Sequence, residues 1–267
     1  MENLSLRYNC VALAGVNKGA TLKKDADGYY YVLLGALNIF NSENIYYAYN
    51  ESKHVFERSN VFMRKVLAGN LFGEEDHPQY EQGMSEAQWI ERNEWIETRN
   101  VCMHIREVEV KPTDRMCNGL PVMEIWGWIK PNRERGPLLA EALENPHQNV
   151  CFSLRAIVRE GRLGTTIVRR IDKLVTFDWV IEDGLQICNK YSAIQRGSKV
   201  AQESTRTYID RPISRQVLED ILYNPTTTSA VATESRRGAL QQLAQEYLQL
   251  APKVSNLRVM GMGVRSW

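Results

Sequence analysis

The chain has 267 residues, 43% of them hydrophobic, enough to bury a large core in one domain or in a domain with an appendage. Its 33 basic and 32 acidic residues leave a net charge of +1, and without a basic arm or an acidic tail the electrostatic footprint of a nucleic-acid partner is missing. Five scattered cysteines (Cys10, Cys102, Cys117, Cys151, Cys188) form neither a C-x-x-C pair nor a zinc spacing. No apolar run reaches the roughly 18 residues of a membrane span, and the opening "MENLSLRYNC" lacks a signal-peptide pattern. The expectation is a reduced, cytosolic protein with no cofactor, no bound metal and no membrane partner.

In chain order, "YYYVLLGALNIF" (Tyr29–Phe40) is aromatic and β-branched at its start and apolar through its middle, which predicts a buried strand, with "NSEN" as the turn after it. "ESKHVFERSNVFMRKVLAGN" carries Val55, Phe56, Val61, Phe62, Val66 and Leu67 at approximate helical spacing, with Gly69 where a helix stops. "GEEDHPQY" follows as a loop. "VCMHIREVEV" (Val101–Val110) and "PVMEIWGWIKP" (Pro121–Pro131) alternate as two strands of a hairpin around the turn-rich "KPTDRMCNGL". "GPLLAEALENP" predicts a short helix with Pro137 in its first turn. "NVCFSLRAIVREG" reads as a strand, and "TTIVRRIDKLVTFDWVIEDG" as two β-rich runs around a polar middle. Further on, "SRQVLEDILYN" and "SRRGALQQLAQEYLQL" look helical and flank the small, polar linker "PTTTSAVATE". The expected organisation is a mainly β domain over residues 1–205 and a helical tail over 206–267.

Several residues are candidates for chemistry, each with an ordinary alternative. His77 follows Glu74, Glu75 and Asp76, which could fix its tautomer or simply share a solvated acidic loop with it. Glu74, Asp76 and His77 as a metal set are disfavoured, because adjacent side chains rarely converge on one ion. Ser153 lies in an apolar strand, where a hydroxyl satisfied by the backbone is the ordinary reading, and Cys151 on the same face reads as packing. Asp178, between Phe177 and Trp179, needs a partner if buried: an arginine of "VRR", or a histidine. Glu91, Glu94 and Glu97 of "ERNEWIE" read as a solvated helix surface. His104 alternates in a strand and could face inward, whereas His54 and His147 look like surface residues.

Taken in order, "YVLLG", "NSENIY", "GEEDHP", "GWIKP", "VCFSLRA" and "LVTFDWV" resemble the prohead (capsid maturation) serine proteases of tailed bacteriophages over roughly residues 29 to 182. That family carries G-E-x-x-H-P, then an S-x-R block, then an aspartate in V-x-x-D-x-V. The resemblance implies an α+β fold, mainly a β barrel surrounded by helices as in the herpesvirus assemblins, here with a helical C-terminal tail. It also implies His77 as general base, Ser153 as nucleophile and Asp178 as the residue that orients the imidazole. Arg155 and Ala156 fall at the oxyanion positions, where the family usually reads S-S-R-G and this chain has Ser153, Leu154, Arg155 and Ala156. His104 is the alternative third member, since assemblins use a second histidine there.

The same resemblance implies scaffold, core and capsid proteins as substrates, cut after glutamate inside the immature head in the host cytoplasm. A glutamate preference needs a cationic pocket, with Arg155, Arg159 and Arg162 as candidates. Self-cleavage would then fall after Glu203, Glu234 or Glu246, in or beside the linker and helices of the tail. A homo-oligomer is left open. Two other functions remain: a non-catalytic head-assembly or scaffold-associated protein of the same fold, inactive through the departures at Leu154 and Ala156, and a metal-dependent hydrolase centred on the acidic loop.

Overall fold

The structure is a computed structural model that describes residues 5–12, 22, 24–41, 44–145, 148, 150–180, 211–224 and 234–250. The chain divides into two units, Met1–Ile213 and Ser214–Trp267.

The first unit contains β1 (Ser5–Ala12), β2 (Tyr30–Leu37), β3 (Ile39–Phe40), β4 (Ile45–Tyr47), β5 (Phe72–Glu74), β6 (Val101–Cys117), β7 (Leu120–Pro131), β8 (Cys151–Leu163), β9 (Thr166–Val180) and β10 (Arg211–Ile213). They form one sheet in the order β10-β1-β8-β9-β4-β3 and a second in the order β2-β7-β6-β5. Helices α1 (Val61–Leu67), α2 (Glu86–Glu94) and α3 (Gly136–Glu144) accompany them, so the architecture is mixed α and β. The expected barrel is corrected to two open sheets among the described residues. Where β5 meets β9 the pairing is a bridge from Glu75 to Trp179 rather than a ladder, and the circle does not close. One apolar cluster joins the sheets, with Leu34, Ile105, Ile125 and Ile129 from one and Phe152, Leu154 and Phe177 from the other.

Local chemistry explains where elements end. The strand predicted over Tyr29–Phe40 breaks at Asn38, which adopts φ 54° and ties the bend with its side chain: Nδ2 donates to the Pro121 carbonyl, and Oδ1 accepts from the Tyr49 amide. The predicted helix after it is two pieces, a one-turn 3-10 helix at Lys53–Phe56 and α1, because the Asn60 side chain accepts from the Phe62 amide and starts α1 afresh. "KPTDRMCNGL" is mostly strand: β6 runs to Cys117, and the turn contracts to Asn118 and Gly119, whose φ of 50° and 75° suit a tight hairpin. Gly164 at φ 62° turns β8 into β9, which is one continuous strand rather than two runs.

In the second unit, α4 (Arg215–Tyr223) starts at Ser214, whose hydroxyl accepts from the Val217 amide, and packs with α5 (Glu234–Leu250). Leu218 and Ile221 of α4 and Leu240, Leu243 and Tyr247 of α5 are buried. Glu234 opens α5, Glu246 is exposed on it, and Glu203 and His147 lie outside the described residues.

Candidate active site

Alternation along β8 sends Phe152 and Leu154 into the shared core and turns Ser153 and Arg155 to the opposite face. That face is covered too: Ser153, Arg155, Thr176 and Asp178 are each 0% exposed. Register then chooses Ser153's neighbour. An unbroken ladder running from the Leu163–Thr166 pair would set Thr176 opposite Ser153. Two bulges, each taking up one extra residue of β9 (Asp172 and Val175), bring Asp178 there instead.

His77 reaches the pair from β5 and the loop after it. Gly73 lets β5 approach β9 closely, since a Cβ there would lie 2.2 Å from the Phe177 carbonyl oxygen and 2.3 Å from Met103 Cε. Asp76 makes the turn at φ 62°; its amide donates to the Trp179 carbonyl at 2.7 Å, and its carboxylate accepts from the His77 amide at 2.8 Å. Pro78 then favours an extended backbone at His77.

The imidazole lies between the two cross-strand neighbours. His77 Nδ1 is 2.9 Å from Asp178 Oδ2, and Nε2 is 2.5 Å from Ser153 Oγ. An ionised carboxylate only accepts, so Nδ1 carries the proton and Nε2 presents its lone pair to the serine hydroxyl. Asp178 is ionised. Burial pushes its carboxyl upward, but the Arg155 charge and the hydrogen bond and charge of His77 outweigh burial and hold it at about 2. Both its oxygens are doubly satisfied: Arg155 Nε (2.8 Å) joins His77 on Oδ2, while Arg155 Nη2 (2.7 Å) and the Glu74 amide (3.0 Å) donate to Oδ1. A hydroxyl, an imidazole lone pair and an orienting carboxylate in this order can deliver a serine alkoxide to an acyl carbon.

The Peptidase S80 family matches residues 8–245. The capsid maturation protease of Pseudomonas phage phiKZ is 35% identical over 187 residues, 68% of this chain and 67% of that protein. The chain belongs to the Peptidase S80 family. Among solved structures, the capsid assembly protease of bacteriophage T4 covers 66% of this chain and 98% of its own at 11% identity, with a TM-score of 0.47.

In this S80 chain the other candidates disperse. Arg155, expected at the oxyanion, instead lays its guanidinium on Asp178, at the far end of the imidazole from the serine. Ala156 is a buried strand residue. His104 bonds the Tyr29 hydroxyl (2.9 Å) and the Gly69 carbonyl (3.0 Å), and the His77 Nδ1 position it was to fill is taken by Asp178. The would-be metal set diverges: Glu74 goes to arginines, Asp76 to the backbone and His77 to Ser153 and Asp178. Among the described residues no three or more His, Cys, Asp and Glu side chains converge to hold a metal ion. Arg159 is taken by Asp172 at 2.7 Å, and Arg162 is exposed near the hairpin tip.

Two expectations about partners change. Asp178 has both a histidine and an arginine, but the arginine is Arg155 and not one of "VRR". Of the glutamates read as a solvated face, Glu91 and Glu94 are buried, and Glu94 pairs with Lys173 Nζ at 2.5 Å. Arg92 was missed from sequence, and Glu74, read there only as one of the acidic residues beside His77 or as a disfavoured metal ligand, has a different role. The Glu74 carboxylate, 0% exposed, accepts from Arg92 Nη2 (2.6 Å), Arg92 Nη1 (3.1 Å), the Glu97 amide (2.7 Å) and Arg155 Nη1 (3.4 Å).

Proposed function

We propose that this S80 chain is a serine endopeptidase of phage head maturation that cleaves scaffold, core and capsid proteins after glutamate and processes its own tail. The observation that carries the reading is the unbroken path Ser153 Oγ, His77 Nε2, His77 Nδ1, Asp178 Oδ2. Family membership and the phiKZ relative support the peptidase and its setting inside the prohead. A herpesvirus assemblin-like fold belongs to the same proposal.

In the first half-reaction Ser153 Oγ attacks the scissile carbonyl while His77 Nε2 takes the hydroxyl proton. The imidazolium is stabilised by Asp178, which stays ionised. His77 then passes the proton to the departing amine as the C–N bond breaks, leaving an ester on Ser153. In the second half-reaction water replaces the amine: His77 removes its proton, the ester bond breaks, and the proton returns to Ser153 Oγ.

Self-processing makes the tail a substrate. Glu203, Glu234 and Glu246 each have an alanine two positions earlier, in "AQE", "ATE" and "AQE". Glu246 lies within α5, so cleavage there waits on local unfolding, whereas Glu234 at its first residue is exposed to fraying. Intact-mass measurement after incubating wild-type, His77→Ala and Ser153→Ala proteins tests the reading. Fragments ending in glutamate from the wild type alone are expected; the same fragments from Ser153→Ala would overturn it.

A further inference from the structure

Behind the imidazole the charges alternate. Asp178 is met by Arg155 through two hydrogen bonds, Arg155 by Glu74, and Glu74 by Arg92 through two more. The Asp178, Arg155 and Glu74 side chains are 0% exposed and that of Arg92 is 22% exposed, so the series runs from the buried site to the solvent edge of α2. Backbone groups fix the geometry: the Glu74 amide is on Asp178, the Glu97 amide on Glu74, and the Trp95 carbonyl accepts from both Arg92 (3.3 Å) and Arg155 (3.4 Å).

We propose that Arg155, Glu74 and Arg92 are positioning residues, a buried series of alternating charge that holds Asp178 in one orientation and sets the basicity of His77. The proposal rests on the serine-protease reading for its purpose, but the electrostatic claim stands apart from it. At short range in a dry site each charge acts on the imidazolium with its own sign. Asp178 favours the charged ring, Arg155 opposes it, Glu74 favours it and Arg92 opposes it. Without Glu74, Arg155 would lean on Asp178 uncompensated and weaken the base. A second arginine at the outer end stops two buried carboxylates from sharing one cation.

Other charged groups surround the series and belong to the same balance. Glu75 and Asp76 lie on the loop carrying His77, and Cys102 on β6, whose Sγ donates to the Gly73 carbonyl at 3.6 Å, feels the charges of Asp178 and Glu75. Lys65 on α1, Glu94 on α2 and Lys173 on β9 cluster on the Arg155 side. Each remains in place in the variants below, so changes are read against a constant background.

The test is the pH titration of the His77 ring nitrogens by NMR in a Ser153→Ala background, which needs no turnover. Glu74→Gln should lower the His77 pKa by about one unit, and Arg92→Gln should raise it by a smaller amount. Arg92→Lys should restore most of the wild-type value. A purely structural role would loosen the site in both variants and move the titration in one direction. Shifts of the same sign, or no shift in a folded variant, overturn the proposal. If Glu74→Gln does not fold, the opposite responses of Arg92→Gln and Arg92→Lys decide alone. In proteins that retain Ser153, the acid limb of kcat/KM should move with the NMR value while KM stays within about twofold. The predicted titration shifts in a protein that never cleaves peptide would sink the protease reading and leave the charge series standing.

Discussion

Two clusters of alternating charge can be set side by side in the first unit. One is the series Asp178, Arg155, Glu74 and Arg92; the other lies on the outer face of the second sheet, where Lys111 Nζ contacts Glu109 (2.6 Å) and the Tyr31 hydroxyl (2.7 Å). Their distances are alike, but the Lys111 and Glu109 side chains are 50% and 47% exposed, while Asp178 and Arg155 are 0% exposed. Short contacts therefore do not tell the two apart. Solvent does: water and salt screen the outer pair, whereas the inner charges have only each other and a few backbone groups. Only the inner cluster can hold an imidazole in one tautomer.

Variants sharpen this contrast, beginning with the largest effect. Ser153→Ala and His77→Ala should each lower peptide cleavage by about 10⁴-fold or more, read by intact mass; calorimetry should find the melting temperature little changed in Ser153→Ala and lowered in His77→Ala, which removes a buried ring and a partner of Asp178. Asp178→Asn should lose a similar factor in rate and also about 3–5 kcal/mol of stability, because Arg155 is left buried without its main anion; chemical denaturation measures the second effect.

Gly73→Ala forces β5 away from the Phe177 carbonyl and so shifts the loop that carries His77. A loss of about 100-fold in kcat is expected from a displacement near one ångström, measured on a peptide substrate. Acid should act more gently. Because the Asp178 pKa is depressed from 3.8 to about 2, its stabilisation, on the order of 2 kcal/mol, is complete above about pH 4 and is lost as the pH falls through about 2. Denaturant midpoints from pH 5 to pH 2 should fall less steeply in Asp178→Asn than in the wild type. The smallest effect belongs to the outer cluster: Lys111→Gln should change stability by less than about 1 kcal/mol and leave cleavage untouched. A large loss there would break the contrast.

Sequence carried a good part of this. The strands of β2, β6, β7, β8 and β9 follow from runs of apolar and alternating residues, and the motif order brought Ser153, His77 and Asp178 together before any coordinates. The barrel did not follow, because whether sheets close depends on edge pairing between residues far apart, here a single bridge at Glu75 and Trp179. Arg155 was legible as a neighbour of Ser153 on one strand face, but its direction depended on the two bulges that move Asp178 beside it. Glu74 was hidden for a different reason. In "GEED" the carboxylates look equivalent, and only the turn of β5 against β9 buries Glu74 while Glu75 stays part-exposed beside Arg135. Arg92, 18 positions on, is tied to it through a helix whose buried face held glutamates that composition assigns to solvent.

The most direct measurement is to incubate the protein with a glutamyl peptide, add a fluorophosphonate, follow cleavage and map the adduct by peptide mass spectrometry. The account predicts one adduct, on Ser153, stopping cleavage and absent from His77→Ala. Continued cleavage with Ser153 unmodified, or inactivation through an adduct elsewhere, would contradict it.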